Sequence, residues 1–262
     1  MTPDALVQQA IGVQVAGFLL VLARISPLFL LAPLFSSKII PRRVRGIIAV
    51  GLTVGIAPIA LRAVDVPTDP VAYFELLVKE ILIGTAFAYV LAALLAGLQA
   101  AGSLLDLQIG FAFGALVDPL TGSQGAILGQ LYALFGVAVL VVIGGDAVII
   151  QGLARTFDMV PVDAFPQLQP MVMGVFRAFK DVLVAAIMVG APVLLTLLLT
   201  DAAFGMVSRV VPQMNVFAVG FPTKVIVGML FVAITLPFAA GWFADRITPS
   251  VAQALRTLRV AG

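Results

Sequence analysis

Long apolar runs constrain this chain more than any other feature. Residues 11–35, 47–61, 81–98, 126–150, 182–200 and 225–243 are apolar almost throughout. Most approach the roughly 20 residues a helix needs to cross a hydrocarbon core of about 30 Å. In such a core the backbone must satisfy its own N–H and C=O groups, which leaves helices and closed barrels. A barrel strand alternates apolar and polar residues over about 10 positions, and these runs do not alternate. Of the 262 residues, 62% are hydrophobic and 11% charged, whereas soluble domains average about 45–50% and about 25%. The mean hydropathy of +1.17 excludes disorder, which needs low hydrophobicity and high charge. The expected fold is an all-α membrane protein of one domain with about six hydrophobic helical segments.

The runs are interrupted. Pro27, Pro33, Pro58, Pro192 and Pro237 lie in or at the ends of them. Each removes one i to i−4 hydrogen bond and kinks or ends a helix. Their density predicts Pro/Gly-broken hairpins in place of long straight spans. The run 47–61 is short for a crossing. Two further stretches, 99–124 and 201–224, stay apolar but carry Gly, Pro and isolated polar residues at turn spacing. Irregular backbone at membrane depth is tolerated only against protein or along a wet cavity, so both are expected to be buried irregular segments. The first ten residues, MTPDALVQQA, contain Asp4 and no Lys or Arg. A cleaved secretory signal needs a positive start, so the first helix is expected to stay in the mature protein.

Charge placement is informative because it is nearly balanced. With six alternating spans, one side collects Lys38, Arg42, Arg43, Arg45, Arg209 and Lys224. The other collects Arg62, Lys79, Arg155, Arg177, Lys180, Arg246, Arg256 and Arg259. A lipid-inserted bundle shows a clear bias of Lys and Arg to one side. Its absence points to spans that are not simple, or to helices held by partner proteins.

The chain has no Cys and no His. Disulfides, thiol chemistry, haem, most zinc sites and His-dependent triads are thereby excluded. The segment Ile143-Gly144-Gly145-Asp146 lacks the first Gly of an intramembrane aspartyl protease motif. There is no phosphate loop and no dinucleotide fingerprint. No catalytic residue, metal or cofactor is expected. The net charge of +2 offers no clustered basic face for nucleic acid. Gly51/Gly55, Gly110/Gly114 and Gly125/Gly129 form G-x-x-x-G pairs that allow close helix approach, or reflect the ordinary frequency of Gly in membrane helices. Arg24, Glu80, Asp106, Asp146 and Asp201 are ionisable groups in or beside apolar segments. Unpaired burial is costly, so ion pairing, for example Arg24 with Glu80, stands beside a pathway or assembly role.

Three stretches together carry a resemblance. The first is Arg24-Ile25-Ser26-Pro27 through APLFSSKIIPRRVR, with Pro33 and Pro41. The second runs from Gly102 through DLQIGFAFGALVDP, with Gln108, Gly110, Asp118 and Pro119. The third is Val211-Pro212-Gln213-Met214-Asn215-Val216-Phe217, then Gly220, Pro222 and Lys224. The chain resembles the FliR/SctT family of type III secretion export gates from about residue 11 to 243, and PQMNVF-x-x-G-x-P-x-K is the most specific part.

The resemblance implies a non-catalytic gate subunit at the bacterial inner membrane, at the flagellar basal body. It implies assembly with FliP-like and FliQ-like subunits around a pore for unfolded export substrates. FlhB-like and FlhA-like export proteins and membrane lipid are further implied partners, with export driven by the proton gradient and a separate ATPase. It also implies a FliP-like part over about 1–180 and a FliQ-like hairpin and tail over about 181–262. The family's lumenal plug maps onto about 106–122, with Asp106, Gln108, Gly110, Phe111, Phe113, Gly114, Asp118 and Pro119. Phe111 and Phe113 are two apart, so an extended loop sets both rings on one side, and apolar side chains at a constriction gate by dewetting. Filling an ordinary helix interface is the plainer role for these rings. Arg24, Pro27, Pro33, Pro41, Glu80, Pro212, Gln213, Asn215, Phe217, Gly220, Pro222 and Lys224 read as assembly or structural positions. Pro212 stops a helix, Gln213 and Asn215 bond freed backbone groups, and a cargo or FlhB-like contact is the alternative. A stand-alone helical transporter or channel, the equivalent injectisome subunit and a non-conducting scaffold are the competing readings.

Overall fold

The computed structural model describes residues 3–36, 41–62, 64–111, 126–213 and 215–258. They form eight helices: α1 (Pro3–Leu31), α2 (Pro33–Ser36), α3 (Arg42–Ala60), α4 (Pro70–Ile109), α5 (Ile127–Val142), α6 (Gly145–Met159), α7 (Leu168–Val210) and α8 (Val216–Thr257). No extended strand occurs among the described residues. Five helices (α1 from Gly12, α3, α4, α7 and α8) are long and apolar enough to cross a membrane. The α5 and α6 pair, broken at Ile143–Gly144, makes a sixth if counted as one span. This is an all-α membrane protein.

The helices are longer and less broken than the Pro pattern predicts. α4, α7 and α8 hold 40, 43 and 42 residues. At 1.5 Å per residue each is roughly 60–65 Å long, about twice a hydrocarbon core. Pro27, Pro58 and Pro192 lie inside helices, and helix continues through Pro222 and Pro237. A local bond shows how this is possible at Pro27. Ser26 Oγ donates to the Ala23 carbonyl at 3.3 Å, the acceptor that Pro27, lacking an N–H, leaves without its usual partner. Elsewhere Pro starts helices, where its missing N–H removes nothing. Pro33 and Pro70 are first residues of α2 and α4, and Pro41 directly precedes α3. The run 47–61 becomes part of the 19-residue α3, long enough to cross.

The two stretches expected to be irregular are corrected in part, and residues 112–124 of the first lie outside the described residues. Residues 99–109 continue α4 and 201–210 continue α7. In the second stretch helix ends at Val210 and resumes at Val216, and residues 201–213 are mostly exposed within this chain. Two of the breaks use left-handed glycines. Gly144 has φ 67° between α5 and α6, and Gly110 has φ 104° after α4. Both values suit a residue without a Cβ.

Contacts divide the chain into two compact units. The first is Met1–Ala92, Gly144–Ala178 and Ile247–Gly262, and the second is Ala93–Ile143 and Phe179–Arg246. In the first, α1 packs on α3, and Leu20, Ile25, Leu28, Ile83, Phe87 and Leu153 are buried. In the second, Leu98, Leu105, Leu128, Tyr132, Leu197 and Phe243 are buried. Large apolar side chains stay exposed along α7, including Phe176, Leu183, Leu195 and Val210, and along α8, including Ile226, Leu230, Ile234 and Phe238.

Candidate functional site

In the first unit, Arg24 of α1 is wholly buried with Glu80 of α4. Arg24 Nε donates to Glu80 Oε2, and Nη2 donates to Oε1 at 2.8 Å. This is the two-pronged geometry a guanidinium favours with a carboxylate. Arg24 Nη1 donates to the carbonyls of Thr156 at 2.9 Å and Val160 at 2.8 Å. Those carbonyls close the C-terminal end of α6, where the helix dipole favours a cation. The guanidinium lies 4.2 Å from the centroid of the Phe157 ring.

Lys79 extends the cluster. Its Nζ is 3.0 Å from Glu80 Oε1, and it donates to the Val162 carbonyl and, at 2.9 Å, to that of Ala164. One carboxylate and two cations thus pin α1, α4 and the link from α6 to α7 together. Gly84, one turn beyond Glu80, lets this happen: a Cβ there would fall on the Arg24 carbonyl oxygen.

In the second unit, buried Asp106 acts as a cap supplied from outside the helix it caps. Its Oδ1 accepts the Leu128 N–H at 3.0 Å and its Oδ2 the Gly129 N–H at 3.0 Å. These are first-turn donors of α5, whose own preceding residue, Ala126, makes no side-chain cap. A carboxylate here answers both the unpaired N–H groups and the helix dipole. Gly102, one turn before Asp106, permits the approach, since a Cβ would meet the Leu128–Gly129 peptide. Gly129 faces Ser103 just as closely. The other half of that G-x-x-x-G pair, Gly125, lies outside the described residues. Gly51 and Gly55 have open space around them in this chain.

The PQMNVF stretch joins α7 to α8. Pro212 and Gln213 lie exposed in the turn. Asn215 caps α8: its Oδ1 accepts the Ala218 N–H at 3.1 Å, the bond expected of a residue just before a helix. Phe217 lies in the first turn of α8, Gly220 is buried near the Phe204 ring, and Pro222 is exposed. Lys224 pairs with Asp201 of α7, Nζ to Oδ1 at 2.9 Å and to Oδ2 at 3.0 Å. Gln108 Nε2 of α4 donates to the same Oδ2 at 3.1 Å.

The structure therefore separates the sequence-derived sites. It joins Arg24 with Glu80, Asp106 with the start of α5, and Gln108 with Lys224 through Asp201. Pro27 is buried in α1, Gly110 ends α4 and Phe111 is half-buried. Phe113, Gly114, Asp118 and Pro119 lie outside the described residues. Lys79 and Gly84 escaped sequence reasoning; a lysine beside a membrane glutamate was the available signal for the first. No group of three or more acidic residues able to hold a metal occurs among the described residues.

Comparison with known proteins adds the context. The chain matches the family described as Bacterial export proteins, family 1, over residues 15–249. It is similar to the flagellar biosynthetic protein FliR of Bacillus subtilis (strain 168), 31% identical over 226 residues covering 84% of this chain and 86% of the relative. It is similar to FliR of Escherichia coli (strain K12), 29% identical over 219 residues covering 84% of each. It is also similar to the surface presentation of antigens protein SpaR of Salmonella typhimurium, 27% identical over 229 residues covering 85% of each. The matched region takes in the Arg24, Asp106 and Asp201 clusters together, and the chain belongs to the bacterial export proteins, family 1.

Proposed function

We propose that this chain is a core subunit of a flagellar type III protein export gate in the bacterial inner membrane, at the basal body. In this reading it assembles with FliP-like and FliQ-like subunits and meets FlhB-like and FlhA-like export proteins. Unfolded flagellar subunits pass through the pore they form. Residues 1–180 serve as the FliP-like part and 181–262 as the FliQ-like hairpin and tail. No catalytic step belongs to the proposal.

The near-full-length likeness to flagellar biosynthetic proteins carries this reading. The exposed surface supports it on physical grounds. Large apolar side chains are exposed along α7 from Leu168 to Val210, a length of roughly 60 Å. A bilayer's hydrocarbon covers about 30 Å of that, and partner subunits would cover the remainder. The SpaR likeness favours the equivalent injectisome subunit as the second reading.

Within the gate, residues 106–122 form the pore-closing stretch, with Phe111 and Phe113 excluding water. Asp106 and Gln108 hold its start, while Gly110, Gly114, Asp118 and Pro119 shape it. Arg24, Pro27, Pro33, Pro41, Glu80, Pro212, Gln213, Asn215, Phe217, Gly220, Pro222 and Lys224 keep the helices in place for assembly. The test is deletion of Gln108 to Gly114 in a complex that still assembles. Ion or small-solute leakage is expected; an intact permeability barrier would sink the pore-closing role.

A further inference from the structure

We propose that Asp201 is the hub of a salt-sensitive clamp that ties the α7–α8 hairpin to the end of α4. Lys224 is the hairpin arm of this clamp and Gln108 is the α4 arm. Between Asp181 and Asp245 the sequence holds one carboxylate, Asp201, and two cations, Arg209 and Lys224. Asp201 therefore has few partners to choose from on its own hairpin. It takes Lys224 through both oxygens, at 2.9 and 3.0 Å. The oxygen at 3.0 Å also accepts Gln108 Nε2 at 3.1 Å. A single carboxylate oxygen thus joins three helices whose contributing residues lie 93 and 23 positions from Asp201.

Two observations make this a clamp that can open. The Lys224 and Asp201 side chains are 20% and 42% exposed within this chain, and wherever the assembly leaves that face in contact with solution, mobile ions screen the pair. Beyond Asp201, residues 202–213 are mostly exposed within this chain, and the chain itself supplies little buried apolar contact to hold the hairpin end. Local opening free energies are low where contacts are few. Gln108 sits two residues before left-handed Gly110, where α4 ends. Opening the clamp frees the α4 end and the hairpin end together. Asp201 is a positioning residue in this scheme, acting through Gln108 and Lys224.

The link to pore closure rests on the functional proposal above; the clamp itself does not, and the experiment separates them. Hydrogen exchange of peptides covering 201–224 is measured in the assembled complex at low and high salt. In the wild type, exchange is expected to rise about 1.4- to fivefold with salt, the range set by an exposed ion pair. Asp201→Asn and Lys224→Gln are expected to exchange fast at both salts. The swap Asp201→Lys with Lys224→Asp is expected to restore slow exchange at low salt, because the Gln108 amide also offers an oxygen to a lysine. Exchange that is the same in wild type and Asp201→Asn at both salts, or a swap no better than its single parents, overturns the clamp. If the single variants fail to assemble, the salt response of the wild-type complex decides alone. Fast exchange without ion leakage upholds the clamp and counts against the pore-closing reading.

Discussion

Arg24–Glu80 and Asp201–Lys224 are both cation–carboxylate pairs between helices, yet the structure treats them oppositely. The first is sealed: both side chains are wholly buried, and the guanidinium also bonds two carbonyls at the end of α6. The second is partly exposed within this chain and shares one oxygen with a neutral amide. A buried pair gains stability only if its remaining donors are met, and breaking it strands a charge. An exposed pair contributes little and yields to salt. The same chemistry therefore serves as a fixed pin in one unit and as a releasable contact in the other.

The largest expected effect is at the pin. Glu80→Ala leaves Arg24 and Lys79 without their carboxylate and should cost about 3–5 kcal/mol, seen as loss of a monodisperse peak in detergent. A stable Glu80→Ala protein would break the contrast at its root. Next comes Gly84→Ala, whose Cβ meets the Arg24 backbone. It should cost about 1–3 kcal/mol by overpacking and lower the melting temperature of the complex without changing its salt dependence. Asp106→Ala strips buried first-turn N–H groups of α5 of their acceptor and should cost about 1–3 kcal/mol. Asn215→Ala removes the α8 cap and should cost about 1 kcal/mol, with Asp or Ser in its place retaining most of it. Unchanged complex yield with lost export in Asn215→Ala would move this residue from a cap to a cargo or partner contact. Smallest is Asp201→Asn, about 0.2–1 kcal/mol, erased by salt. Melting curves at two salt concentrations sharpen the comparison, because Glu80→Ala should be destabilised equally at both.

The sequence was legible where signals are local or strongly ionic. Repeated apolar runs specified membrane helices, and a lone arginine and glutamate in apolar surroundings pointed to each other. Long-range geometry was hidden. Gly102, Ser103, Asp106 and Gln108 read as breakers of regular structure, yet each fits α4 for its own reason. Gly102 admits α5, Ser103 bonds back to the Gln99 carbonyl, Asp106 caps α5, and Gln108 reaches Asp201. Those partners lie 22 to 93 residues from Asp106 and Gln108, beyond any local pattern. Pro192 and Pro237 read as kinks or breaks in their apolar runs for a related reason. In water a proline often ends a helix, but in apolar surroundings neighbouring helices and hydroxyl side chains make good the lost bond.

The central claim is that this chain completes its surface with FliP-like and FliQ-like partners, and co-purification tests it most directly. The chain is expressed alone and together with both partners from the same source, then extracted in mild detergent. A discrete complex, with the isolated chain poorly behaved because α7 and α8 lie bare, is the predicted result. A stable, monodisperse chain that ignores both partners would contradict the account and favour a self-sufficient helical transporter.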